Sequence, residues 1–306
     1  MEARLPRPAY RRYIGAMAFH LARGPAAATQ LITILEEELA GARARLGEDP
    51  PGAGAVHEAR VAVKRMRAVL RLFEEAVPAR SRRIATRLRR AAHALSAMRE
   101  ADACLESLTA LATRYRAILT PAIAGHVRRG LEHRRSTSRE DASEALGEAR
   151  GALEAATRLV PSLGASSRAL RQGMARSYRR TRRAMLTLRL DGGDAEFHRW
   201  RIRLKDHYYH MRLLEKLDAT PRRRARLLHV LGEALGDDHN LTVLQELLLT
   251  DPARYGPERE GAVVLGCIAR EQRRLRAGAL RLGERVFAAK GSRFAADLRG
   301  WWPERR

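Results

Sequence analysis

The chain is poor in cysteine, lysine, aromatic residues and long apolar runs, and each shortage removes a class of protein. Its two cysteines, Cys104 and Cys267, stand far apart, which excludes a disulfide framework or a Cys-rich zinc cluster and leaves two small apolar side chains in a reducing compartment. Aromatic residues make up 5%, too few for the stacking platforms of a single-strand binder. No segment reaches the roughly 18 consecutive apolar residues of a membrane span. The stretch RRYIGAMAFHLARGPAAA superficially resembles an export signal, but His20 and Arg23 interrupt its apolar run, and it is expected to be a helix. Acids are scarce too: 35 against 59 basic residues leave a net charge of +24. So large an excess implies a polyanionic partner, whether nucleic acid, an anionic membrane or polyphosphate. Nearly all of the positive charge is arginine, so the four lysines, Lys64, Lys205, Lys216 and Lys290, are the informative cations.

What the chain does have is apolar residues in helical spacing. With 306 residues, 45% of them apolar, it can bury a sizeable core as one domain of two packed halves. Apolar residues recur three and four apart, as in Leu31, Ile34, Leu35 and Leu39, and no β-type alternation appears, so an all-α fold is expected. Breaks are expected at residues 47–54, Pro78, Pro121, Pro161 with Gly164, residues 191–194, Pro221, Gly236 and residues 251–257, bounding helices of roughly 15–25 residues. The division is a first helical half at 25–118, a more polar and acidic inserted helical hairpin at 119–165, and a second half at 166–306.

One stretch occurs twice. HEARVAVKRMRAVLRLF at 57–73 aligns with HRWRIRLKDHYYHMRLL at 198–214, matching His57 with His198, Arg60 with Arg201, Lys64 with Lys205 and Arg71 with Arg212, while Arg67 falls opposite Tyr208. On a helix, positions 57, 60, 64, 67 and 71 share a stripe roughly 80° wide, and Val63, Met66, Leu70, Phe73 and Val77 form an apolar face roughly 125° away. The basic stripe therefore borders the core, where cations repel strongly unless an anion joins them. Glu58, Glu74 and Glu75 are the nearby acids that would neutralise it as a solvated face; a solvated face, however, has no need to repeat the same cations at the same spacing. A second repeated segment, LSAMREADACLESL at 95–108 and LGDDHNLTVLQELL at 235–248, is expected to begin a helix in each half, with Arg99, Glu100, Asp102 and Asp237–Asn240 as caps and bridges. The sharper alternative for Asp-Asp-His is metal ligation, but adjacent helical residues point apart, and no metal or other cofactor is expected.

On these motifs the sequence resembles the CHAD family, the conserved histidine α-helical domain, whose hallmark is a His-x-x-Arg-x-x-x-Lys/Arg helix in each of two similar halves, each followed by a Leu-Gly-like acidic segment. The basic helix SYRRTRRAM at 177–185 is similar to the one preceding the second hallmark in family members, and the similarity runs roughly from residue 25 to 290. The resemblance implies two pseudo-symmetric four-helix bundles packed around a basic groove or pore that binds inorganic polyphosphate, in a cytoplasmic protein associated in some members with polyphosphate granules. Glu100 in place of an Asp, Tyr208 in place of a cation and Asp206 beside Lys205 depart from the pattern, so the second stripe is expected to be weaker or differently lined. His207 and His210 are expected to add charge there below about pH 6.5.

Arginine forks grip phosphate oxygens bidentately and lysines supply compact charges. The expected contacts are Arg60, Lys64, Arg67, Arg71, Arg201, Lys205, Tyr208 and Arg212, with Arg179, Arg182 and Arg183 as a second tier. His57 and His198 either donate to phosphate or hold structure. Two rivals are a nucleic-acid binder, for which charge alone suffices, and a metal-dependent phosphohydrolase, which needs clustered carboxylates or a phosphate loop that the sequence lacks. Binding without catalysis is the expectation. In RGWWPERR, Trp301 and Trp302 are read as capping a core edge in preference to a membrane anchor.

Overall fold

Helical spacing punctuated by proline and glycine folds as ten α-helices, with no strand among the described residues. The structure, a computed structural model, describes residues 19–47, 51–140, 142–188 and 192–303. The helices are α1 (Ala27–Arg45), α2 (Ala53–Phe73), α3 (Pro78–Arg114), α4 (Pro121–Glu140), α5 (Ala142–Thr157), α6 (Ser167–Leu186), α7 (Asp194–Leu214), α8 (Ala219–Thr250), α9 (Glu258–Val286) and α10 (Gly291–Trp301). The helix expected at residues 11–28 lies mostly outside the described residues. Its described part at 19–26 is not helical: Gly24 takes φ 107°, and the run docks on the end of α7, Leu21 N–H donating to the Leu213 carbonyl at 2.8 Å.

Two bundles result. The first packs α1, α2, the early part of α3 and α5; the second packs α6, α7, the early part of α8 and the late part of α9, with α10 against α6. Their apolar faces merge into one core that includes Leu31, Val63, Met66, Phe73, Leu153, Trp200, Leu204 and Leu228. The expected apolar face of α2 is buried through Phe73. A second core forms where the far ends of α3 and α8 meet α4 and α9, and it holds both cysteines, buried and unpaired, among Leu108, Val127, Leu244 and Ile268. Trp302 is fully buried and donates to the Ser167 hydroxyl at 2.6 Å, so the terminal tryptophans close the core edge.

The long helices differ from expectation. α3 has 37 residues and α8 has 32, about 55 and 48 Å at 1.5 Å per residue. No proline or glycine interrupts α3 after Pro78, and Gly236 does not end α8, because Leu231, Leu235, Leu241 and Leu244 bury one continuous stripe across it. Arg99, Glu100, Asp102 and Asp237–Asn240 are consequently not helix caps; they lie in mid-helix. In the segment expected as an inserted hairpin, α4 and α5 both lie along α3. α5 closes the first bundle through Leu146, Ala149 and Leu153, so the pair together occupies the place that α9 fills alone in the second half.

The halves join through close backbone approach. A Cβ on Gly173 of α6 would stand 2.8 Å from the Leu72 carbonyl oxygen and 3.0 Å from its Cα, and His210 of α7 donates from Nε2 to the Ala68 carbonyl of α2 at 2.7 Å. Replacing Gly173 by Ala should therefore lower the urea-unfolding free energy by about 1–3 kcal/mol through overpacking. Gly147→Ala, on an exposed helical position with nothing within 4 Å, should raise it by about 0.5–1 kcal/mol; equal effects at both sites would contradict the close-packed seam.

Candidate functional site

The two copies of the repeated helix, α2 and α7, cross at the seam, and their basic stripes face one another. Arg60 and Lys64 each feel Arg201 across the seam, and Lys64 also feels Lys205. Burial, with Arg60, Arg201 and Lys205 nearby, pushes the Lys64 ammonium down to about 7. Burial, with Arg99 and Arg201, pushes Arg60 down to about 10. Lys205 and Arg201 are also lowered, chiefly by burial, against the pull of Glu233 and Asp237 from α8. Burial is the largest cause in all four, and at Arg60 and Lys64 the neighbouring cations add to it.

The glutamates near the first stripe confirm where neutralisation stops. Glu58 binds Arg45 at 2.5 Å, Glu75 binds Arg176 at 2.6 Å, and Glu74 takes Arg71 at 2.6 Å with Arg180 at 3.5 Å. Among the described residues, Arg71 at the end of the stripe is the one of Arg60, Lys64, Arg67 and Arg71 in an ion pair. Among the described residues Arg60 is held by the Ser96 hydroxyl at 2.9 Å, while Lys64, Arg67 and Arg201 make no ion pair, and the buried Arg201 Nε has no partner at all. In the second stripe Lys205 meets Glu233 at 3.2 Å, and Arg212 repeats the Arg71 arrangement, bonding Glu215 three residues on at 3.0 Å. Tyr208 accepts from Arg212 at 3.1 Å and lies under the Lys205 ammonium, 6.0 Å from its ring centre.

Asp206 does not weaken the second stripe as expected. It reaches back to α2, bonding Arg71 Nε at 3.2 Å, and burial lifts its carboxyl to about 6. His207 and His210 do not charge near pH 6.5 either: both are fully buried, burial pushes His210 down to about 4 and His207 well below its ordinary value, and His207 packs among Tyr178, Phe287 and Phe294.

The hallmark histidines acquire partners that sequence reasoning had placed at helix starts. His198 Nδ1 lies 3.2 Å from His239 Nδ1 on α8, and burial with Arg201 holds His239 at about 4. His57, lowered by burial, feels Arg99 on α3. In the register that aligns Leu95 with Leu235, Arg99 and His239 are counterparts, so each hallmark histidine faces the same position of the following long helix. Arg89, Ser96 and Arg99 stand at helical spacing on α3 and were the available signal; the assumption that α3 stopped short hid it. Of the second tier on α6, Arg182 donates to the Phe287 carbonyl at 2.9 Å and Arg179 lies against Gly291, both turned to α9 and α10, while Arg183 is exposed. The arginines of α6 that reach α2 are Arg176 and Arg180.

A lysine lowered from 10.5 to about 7 has a signed effect on stability. Between those values the unfolded chain holds a proton that the folded chain lacks, so this group's contribution rises with pH across that window and is least favourable below pH 7. Lys64→Met should therefore raise the urea midpoint at pH 6 more than at pH 9.5; an equal shift at both pH values would contradict the crowding.

Among solved structures, PptA from Streptomyces chartreusis superposes with a TM-score of 0.66 at 17% identity, over 87% of this chain and 100% of that one. The CHAD domain from the plant Ricinus communis superposes with a TM-score of 0.62 at 22% identity, over 90% of this chain and 96% of that one. At such identities the likeness is one of fold. No curated protein matches the chain. The CHAD domain family matches residues 26–249, a span that contains both copies of the histidine helix and both long helices behind them, and the chain belongs to the CHAD family.

Proposed function

We propose that the chain binds inorganic polyphosphate along the seam between α2 and α7 and does not turn it over. The observation that carries this reading is the cluster of Arg60, Lys64, Arg67 and Arg201 at the border of the core, which forms no close ion pair among the described residues and feels Glu100, Glu233 and Asp206 only from farther off. A linear phosphate chain places anionic oxygens at short, regular intervals, and each would replace the counter-charge the protein omits. Arg71, held by Glu74 and Asp206, and Arg212, held by Glu215, stand at the C-terminal ends of the two stripes. Lys205 supplies a point charge, Tyr208 a hydroxyl, and His57 and His198 ring N–H groups at the histidine ends of the two stripes. Arg99 joins this set from α3.

The absence of turnover is part of the proposal. Acids at the seam are few and engaged with cations: Asp206 with Arg71, Glu233 with Lys205. Among the described residues no group of three or more His, Cys, Asp or Glu is placed to hold a metal ion. No described helix is long and apolar enough to cross a membrane. A cytoplasmic location at polyphosphate granules is the setting that the family resemblance supports.

The discriminating experiment is competition binding at about 0.15 M salt, where exposed charges are already screened beyond roughly 8 Å, with long-chain polyphosphate against duplex DNA, RNA and heparin. Polyphosphate should displace the others, and Lys64→Glu with Lys205→Glu, in a variant whose fold is verified, should weaken it by roughly a hundredfold or more. Competition ranked by charge density alone, with the double variant unchanged, would transfer the role to the general basic surface and favour nucleic acid. Phosphate release during prolonged incubation with magnesium or manganese would overturn the non-catalytic part.

A further inference from the structure

The two ends of the seam are built differently. At the α2 end lies a cavity of about 390 Å³ lined by Arg67, Arg71, Arg82, Arg89 and Arg180, with Glu74, Glu75 and Ser81. Both acids are occupied, Glu74 by Arg71 and Arg180 and Glu75 by Arg176, whereas Arg67, Arg82 and Arg89 form no ion pair among the described residues. Burial lowers the Arg67 guanidinium, the Asp206 carboxylate of α7 opposes that shift, and Arg71 and Arg89 add to it.

A second lining group of this cavity is polar and without a hydrogen-bond partner. Ser81, in the first turn of α3, is 1% exposed, and its hydroxyl has no hydrogen-bond partner, although burying an unpaired hydroxyl is costly. It stands where the unbonded amides and the positive end of a 37-residue helix also favour negative charge.

The α7 end keeps Arg212, Arg222 and the start of α8, but not the counterparts of Arg67, Ser81 and Arg89. Tyr208 replaces Arg67, its ring stacks on His229 with centres 5.8 Å apart, and its hydroxyl takes up Arg212. In the register that aligns the two long helices, His229 stands where α3 has Arg89, and Pro221 where it has Ser81. An aromatic pair stands where the first half has two arginines.

We propose that the α2-end cavity is a separate subsite for the terminal phosphates of an oligophosphate, so that the groove engages its ligand from one end only. The inference rests on the polyphosphate reading of the seam and deepens it. Terminal phosphates carry more charge per group than those within a chain, and they suit a compact pocket of several arginine forks, a hydroxyl and a helix start better than the row of single cations along the seam. Both a long chain's end and a free short oligophosphate present this chemistry.

The test is calorimetric titration of the full chain with tripolyphosphate, comparing wild type with Arg82→Ala plus Arg89→Ala, with Ser81→Ala, and with Lys64→Met plus Lys205→Met, each checked by circular dichroism and urea midpoint. The arginine pair is expected to lose tenfold or more in tripolyphosphate affinity and Ser81→Ala severalfold, whereas the lysine pair should affect the long chain more than tripolyphosphate. Tripolyphosphate affinity within twofold of wild type in the Arg82/Arg89 variant would overturn the subsite, as would its loss only in the lysine pair. Long-chain polyphosphate with its ends blocked as phosphoramidates separates the sources: weaker binding than the free-ended chain identifies the chain end, and equal binding identifies a free oligophosphate. If wild type fails to bind the long chain at all, the seam reading falls, while tripolyphosphate still decides the subsite.

Discussion

The repulsion among Arg60, Lys64, Arg201 and Lys205 is the constraint around which the two halves are organised. A lone pair of basic helices would splay until solvent screened them. Here the splay is prevented by apolar burial beneath both helices, by the close approach of Gly173 to Leu72, and by the His210 bond to the Ala68 carbonyl at the crossing itself. His210 is suited to that position because burial keeps it neutral, so it ties the stripes together without adding to their charge. Glu74 on Arg71 and Glu215 on Arg212 fix two guanidinium groups at the ends of their stripes, and in the middle Glu233 pairs with Lys205 alone among the described residues.

Duplication explains the shape of the site, and departures from duplication explain its polarity. The His57–Arg99 and His198–His239 relations occupy the same positions in each half, so the hallmark histidine is best understood as one member of a helix-to-helix relation and not as an isolated ligand. The halves part company at Arg67 and Tyr208, where one has a cation lining a cavity and the other a ring stacked on His229. A symmetric groove would accept a chain in either direction; this one does not treat its ends alike.

Much of this was legible in the sequence. The repeat of His, Arg, Lys and Arg at fixed spacing located both stripes, and helical periodicity placed them beside the apolar face of α2 from Val63 to Phe73. What could not be read was how long helices run and what lies across from them. Gly236 carries a breaking propensity of about 1 kcal/mol, which the continuous burial of Leu231, Leu235, Leu241 and Leu244 overrides. Expecting α3 and α8 to stop short concealed that Arg99 and His239 lie near the hallmark histidines. Asp206 illustrates the other limit: its neighbour in sequence is Lys205, but its partner is Arg71, on the opposite helix. Arg182 and Arg179 carry charges as conspicuous as that of Arg180, and only the packing of α6 against α10 decides which of them turns to the seam.

The central claim is that the seam's cations are incomplete until a polyanion arrives, and proton uptake on binding measures this most directly. At pH 8 a Lys64 ammonium held at about 7 is mostly deprotonated, and a phosphate chain beside it should restore the proton. Calorimetry of polyphosphate binding at pH 8, in buffers of different ionisation enthalpy, should show uptake approaching one proton per site in wild type and its loss in Lys64→Met. Binding with no proton uptake would mean that Lys64 already carries its charge comfortably in the free protein, and the account of an unfinished ion cluster would be contradicted.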